Sequence, residues 1–144
     1  MILYLDTSAF VPLLIDEPTT SSCRDFWDGA DEIVSSRLLY VEAAAALAQA
    51  HRMGRLGTSQ LDRVLALMDE YWRSVIVIEV DEAMVLRASV LARSHALRGY
   101  DAMHCAAAEQ LVGEESLAMT SDRVLQDAWS RLGLATAAPV AVVR

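Results

Sequence analysis

MILYLDTSAF, residues 1–10, sets a four-residue apolar run, Ile2–Leu5, directly against an aspartate. A run of this length stopped by Asp-Thr-Ser reads as a buried strand that hands its last residue to a helix N-terminus. The pattern recurs along the chain. Ile33–Ser35, the β-branched Val75–Ile78 and Leu117–Thr120 read as further strands, and Val140–Val143 as a final one. Between them fall helical patterns at Ser8–Ile15, Ser21–Trp27, Leu38–Met53, Ser59–Arg73 (capped by Thr58 or Ser59), Asp81–His95, Tyr100–Val112 and Asp122–Leu132. Gly54, Gly113 and Gly133 stop three of them. Such alternation predicts a three-layer α/β/α sandwich on a mainly parallel sheet. Residues 1–144 show no repeat and no Pro-, Gly- or Ser-rich linker, so a single domain is expected.

Composition removes several chemistries. All 12 basic residues are arginine, so there is no lysine for a Walker A loop, a Schiff base or a phospho-receiver site. No glycine pattern makes a dinucleotide fingerprint. Cys23 and Cys105 are far apart, which disfavours a zinc ribbon or a disulfide scaffold and points to the cytosol. The opening residues lack the basic region of a signal peptide, and the longest uncharged stretch, Gly133–Val143, is too short to span a bilayer; no membrane partner is expected. The net charge of −8 is the wrong sign for a protein that merely coats nucleic acid.

In an open parallel sheet, ligands bind beyond the carboxyl ends of the strands. Four acids are delivered there. Asp6 follows the first strand and Asp122 the strand ending at Thr120. Each is also a natural helix cap, as is Asp81. Glu42 lies in the helix after the second strand, and Asp101 in a helical first turn, where the helix dipole favours its ionised form. The i±3 and i±4 neighbours of Glu42 are Leu38, Leu39, Ala45 and Ala46, so its carboxylate sits on an apolar stripe with no base beside it. A metal ion is its economical partner, and a distant arginine would also serve. His104 shares a stripe with Ala107, Ala108 and Leu111 and reads as a satisfied core histidine.

Clustered carboxylates repel one another unless protonated or metal-bound. Oxygen ligands suit Mg²⁺, with Mn²⁺ as a substitute. Two such ions about 3.5–4 Å apart form the clamp that hydrolyses phosphodiesters through activated water. Arg98 and the Arg52/Arg55 pair are placed to meet phosphates.

These residues carry a resemblance. LYLDTSAF, the helical Glu42, RGYDAMHCAAA at 98–108 and MTSDRVL at 119–125 are similar, in order and spacing, to the motifs of PIN-domain proteins, and among them the VapC toxins of type II toxin–antitoxin systems. The resemblance implies an Mg²⁺-dependent endoribonuclease in which Asp6, Glu42, Asp101 and Asp122 form the acidic quartet, with Asp6 and Asp101 as the core metal ligands. It further implies supporting hydroxyls at Ser8, Thr120 and Ser121, a homodimer, an RNA substrate, and a cognate VapB-like antitoxin. That antitoxin is expected to lay an amphipathic helix against Phe10, Val11, Leu13, Leu14 and Trp27 and to reach the acids with a basic side chain.

A haloacid-dehalogenase phosphatase also places an aspartate after its first strand. It needs a second aspartate two residues on, where Ser8 stands, and a lysine that this chain lacks. The remaining alternatives are a DNA-directed nuclease of the same fold and a silent PIN scaffold that only binds a partner.

Overall fold

A computed structural model of the chain describes residues 1–143. Five strands, β1 (Ile2–Leu5), β2 (Glu32–Ser36), β3 (Val75–Ile78), β4 (Ser116–Met119) and β5 (Thr136–Ala137), form one sheet in the order β3-β2-β1-β4-β5. Every pairing is parallel. The chain builds outward from β1 through β2 to β3, then crosses to the other side of β1 for β4 and β5. The order therefore reverses between β1 and β4, where a parallel sheet opens a crevice.

Helices cover both faces. Along β1 the side chains alternate, as a strand requires. Leu3 and Leu5 join one core with Ile33, Val75 and Met119 beneath α1 (Thr7–Phe10), α2 (Thr20–Gly29), α3 (Leu38–Arg52) and α4 (Thr58–Trp72). Tyr4 points the other way, into a core with Val34 and Ala118 beneath α5 (Glu82–His95), α6 (Gly99–Glu109) and α7 (Arg123–Arg131). The α6 stripe Ala102, Ala106, Ala107 and Ala108 is fully buried. Residues this small bring the helix close to the sheet, and the site depends on that approach.

Several boundaries differ from those read in the sequence. The expected Ser8–Ile15 helix breaks after Phe10 into a 3₁₀ turn, Val11–Leu13. Pro12 has no N–H to continue the α-helical ladder. The α4 cap is Gly57, whose N–H donates to Gln60 Oε1 at 2.8 Å, one residue before the expected caps. Helix α6 ends at Glu109, short of Val112, and the chain then turns through Gly113 at φ +94°. Val140–Val143 is not a strand. The last strand is Thr136–Ala137, and Pro139 cannot donate to a continuing ladder. The tail instead crosses to the α2 side, where Val140 N–H donates to Ser22 Oγ (2.9 Å) and Val142 N–H to the Pro18 carbonyl (2.8 Å). Among the described residues no helix is long and apolar enough to cross a membrane.

Trp129 is the largest fully buried side chain, standing edge-on to Tyr4 with ring centroids 5.6 Å apart. Trp129→Ala removes that anchor from beneath β1, and a loss of about 3–5 kcal/mol is expected. Urea unfolding of the two proteins measures it; a loss below 1 kcal/mol would place the second core elsewhere.

Candidate active site at the β1–β4 crevice

The crevice is tied shut at its base by one carboxylate. Asp6 is 5% exposed and caps α1, its Oδ1 accepting from the Ala9 N–H (3.3 Å) and from Ser8 Oγ (2.7 Å). Its Oδ2 accepts from Thr120 Oγ1 at 2.6 Å, across from the end of β4. Thr120 Oγ1 also accepts from the Asp122 N–H (3.0 Å), and Ser8 Oγ accepts from the Ser121 N–H (2.8 Å). The two expected hydroxyls of Ser8 and Thr120 thus meet at Asp6. Ser121 contributes its backbone N–H rather than its hydroxyl.

Burial pushes the Asp6 pKa above its ordinary value. The field of His104, the Ser8 and Thr120 hydroxyls and the Ala9 N–H pull against that rise without cancelling it.

Asp122 shares the double use. Its Oδ1 caps α7 by accepting from the Leu125 N–H (3.0 Å), while its Oδ2 lies 3.6 Å from Arg98 Nη2. The same guanidinium donates through Nε to Asp101 Oδ2 at 3.1 Å. Arg98 therefore bridges Asp101, in the first turn of α6, to Asp122, at the start of α7. Capping and site-building are compatible here, because one carboxylate oxygen does each.

Glu42 enters from α3, and the side chain it meets is a histidine rather than an arginine. Its Oε1 lies 2.7 Å from His104 Nε2, and His104 Nδ1 lies 2.7 Å from the Tyr4 hydroxyl. Desolvation holds the Tyr4 pKa well above its ordinary value, so its hydroxyl keeps the proton. A carboxylate only accepts, which assigns the Nε2 proton toward Glu42, while the Tyr4 hydroxyl, able to donate or accept, meets Nδ1. His104 is the buried, satisfied histidine that its alanine stripe implies. Sequence reasoning treated it and Glu42 separately. The signal was present in two complementary gaps: a carboxylate on an apolar stripe without a base, and a histidine on an apolar stripe without an acid.

The arginines expected at phosphates divide. Arg98 is engaged by two acids of the site, and Arg55 lies 3.7 Å from Glu17. Arg52 has no carboxylate partner among the described residues and lines a cleft with Glu42. The apolar groove expected from the early helices does not form as read, because Phe10, Leu13 and Leu14 are buried in the core. Their neighbour Val11 instead lines a hollow of about 560 Å³ with Ser8, Pro18, Ala46, Ser121 and Ala141 of the tail.

Among the described residues, no three His, Cys, Asp or Glu side chains stand close enough to make a ready metal cage. The hydrogen bonding explains it, since each acid is turned toward a donor of its own. The donor set nevertheless suits a hard cation: oxygen ligands only, with no thiol at the edge. The Thr7 hydroxyl beside Asp6 is buried without a partner, and a ligand or water would satisfy it.

Comparison with known proteins agrees with this geometry. The PIN domain family model matches residues 3–128. Ribonuclease VapC49 of Mycobacterium tuberculosis (strain ATCC 25618 / H37Rv) is 42% identical over 107 residues, 74% of each chain. Ribonuclease VapC47 of M. tuberculosis (strain CDC 1551 / Oshkosh) is 31% identical over 144 residues, 97% of this chain and 98% of its own. The crystal structure of VapBC2 from Rickettsia felis, bound to a DNA fragment from their promoter, superposes with a TM-score of 0.65 at 13% identity, covering 97% of this chain and 100% of that one. The chain belongs to the PIN-domain family, in its VapC branch.

The raised Asp6 pKa fixes the sign of a stability effect. A carboxyl whose folded pKa exceeds its unfolded value supports the fold fully below the unfolded pKa, and loses that support as pH rises through the folded one. Asp6→Asn removes the loss. In chelator at pH 7 its Tm should exceed that of the parent by about 2–5 °C, with the gap closing toward pH 4. A variant less stable than the parent at both pH values would show that the hydroxyl contacts outweigh desolvation.

Proposed function

We propose that the chain is a divalent-cation-dependent endoribonuclease and the toxin of a type II toxin–antitoxin pair, working in the cytosol. What supports this reading is the linkage of Asp6 to the end of β4 through Thr120 and of Asp101 to Asp122 through Arg98, in a chain 42% identical over 107 residues to a ribonuclease. Asp6 and Asp101 would be the core ligands for Mg²⁺, with Mn²⁺ as a substitute, and Glu42 and Asp122 would complete the set. Bound there, the ion supplies Lewis acidity toward a phosphodiester and makes water a nucleophile near neutral pH.

The remaining work falls to the chain itself. Ser8 and Thr120 fix both Asp6 oxygens, so the carboxylate is held in place before substrate arrives. Tyr4 and His104 do the same for Glu42. Arg98 meanwhile offsets part of the charge of Asp101 and Asp122. Its side chain is 83% exposed, and exposed pairs of this kind contribute under about 1 kcal/mol, so it leaves readily for an RNA phosphate.

The test is cleavage of structured RNAs by purified protein, with and without EDTA. Activity should appear with Mg²⁺, vanish in EDTA, and fall by at least about a hundredfold in Asp6→Asn and Glu42→Gln, since even the partners behind metal ligands cost 10–100-fold. Undiminished cleavage by Asp6→Asn would remove it from the metal set. RNA left intact by the parent at every metal concentration would leave the silent scaffold.

The R. felis neighbour is a VapBC complex, which supports an antitoxin partner here. The partner would seat a helix in the hollow at Val11, Pro18 and Ala46 and place a guanidinium at the carboxylates, where Arg98 now stands. Because that guanidinium and a cation share the same oxygens, raising Mg²⁺ from 1 to about 50 mM should weaken inhibition severalfold beyond the matched ionic-strength control. Inhibition indifferent to Mg²⁺ would mean that the partner acts by covering the crevice alone. The toxin is expected to pair with itself, which light scattering of the purified chain measures.

A further inference from the structure

Between α3 and the start of α6 lies a cleft of about 400 Å³ that runs on from Glu42, and beyond that residue the mechanism above does not use it. Its lining includes Thr7, Glu42, Ala45, Gln49, Arg52 and Tyr100. The α3 residues fall at helical spacing on one face, and Ala45 and Ala46 keep the floor low and open. Glu42 marks the end nearest the crevice. At 1.5 Å per residue, Arg52 lies about 15 Å along α3 from it.

Tyr100 is the unusual member. It is 61% exposed, although it immediately precedes Asp101 in the first turn of α6. Among the described residues it has no side-chain hydrogen bond and no ring partner. Tyr4, Tyr40 and Tyr71, by contrast, each hydrogen-bond or stack on another ring. Arg52 is without a carboxylate partner at the far end, as are Arg24, Arg63, Arg73, Arg93, Arg123 and Arg131 among the described residues, and what sets it apart is that it lines the cleft with Glu42. An open aromatic face, an unpaired guanidinium and an exposed amide in one cleft match three features of unpaired RNA: a base face, a backbone phosphate and a base edge.

We propose that this cleft is a subsite for an unpaired nucleotide of the RNA, with Tyr100 as the platform on which its base stacks. Arg52 holds a backbone phosphate further along α3. Gln49, whose amide both donates and accepts, meets the base edge and gives the subsite a sequence preference. Tyr100 positions the strand for Asp101, next to it in sequence, so a stacked base fixes the neighbouring phosphodiester at the crevice. The inference rests on the ribonuclease reading above and names where its substrate lies.

The experiment uses fluorescein-labelled single-stranded RNA 12-mers of mixed sequence, with anisotropy read on Asp6→Asn protein so that the RNA stays intact. Adding Tyr100→Ala to that background should weaken binding about tenfold, while Tyr100→Phe and Tyr100→Trp should keep it. Arg52→Ala should lower the slope of log affinity against log salt by about 0.7, one single-strand phosphate. Photocrosslinking with 5-iodouridine should label Tyr100. Because Tyr100 and Arg52 are exposed, these variants should retain the parent circular dichroism.

Three results would overturn the inference. Parental affinity in Tyr100→Ala, with crosslinks elsewhere, would give the cleft to a protein partner. A Tyr100→Phe loss as large as that of Tyr100→Ala would make the hydroxyl the contact and end the stacking argument. If the parent cuts RNA in either case, the ribonuclease reading stands and only the subsite falls. A parent that neither cuts nor binds RNA would remove both.

Discussion

A carboxylate at the end of the central strand has to be buried, and the crevice is organised around that cost. Asp6 follows β1, between β2 and β4, where the sheet changes direction and both helical layers converge. An ionised group so placed needs donors from more than one direction. It receives them from its own helix through Ala9 and Ser8, and from the end of β4 through Thr120. Those bonds join the ends of two strands far apart in sequence. The loop that carries Asp122 is thereby held beside the loop that carries Asp6, before any ligand is considered.

The other acids follow the same rule with different partners. Glu42 comes from the α1–α4 layer and is met by His104 from the α5–α7 layer, over the end of the sheet. Tyr4, on β1 itself, completes the line. This explains the small residues of α6. A larger side chain at Ala106, Ala107 or Ala108 would lift the helix and separate His104 from both partners. Packing in one core thus sets the electrostatics of the crevice.

Much of this was legible in the chain. Short apolar runs and caps placed β1–β4 and most helices, and the four acids followed from asking what lies past the strand ends. Position along the chain is a local signal, and local signals read well. The failures were of two kinds. Pro12 cut a helix whose apolar pattern ran on, because hydrophobicity reports burial and says nothing of a missing N–H. The apolar run Val140–Val143 likewise gave no sign that its N–H groups bond to the α2 side instead of a sheet. The apolar residues Phe10, Leu13 and Leu14 were read as a surface groove, although nothing in their spacing separates a core face from a docking face. Pairings such as Glu42 with His104, or Arg98 with two acids, join distant segments, and no single segment announces them.

The two basic partners of the acids differ in a way that divides the crevice. His104 is buried, and both ring nitrogens are engaged. Displacing it would strand a tyrosine hydroxyl and a carboxylate, each costing on the order of 1–3 kcal/mol when left without a partner. Arg98 stands in water, where solvent and salt compete for its contacts with Asp101 and Asp122. The crevice therefore has a buried side and an exposed side. Asp6 with Glu42 is held by buried hydroxyls and an imidazole. Asp101 with Asp122 is joined through one solvent-exposed guanidinium. A chain of net charge −8 thus offsets the charge of these acids with partners of two kinds, one buried and one in solvent.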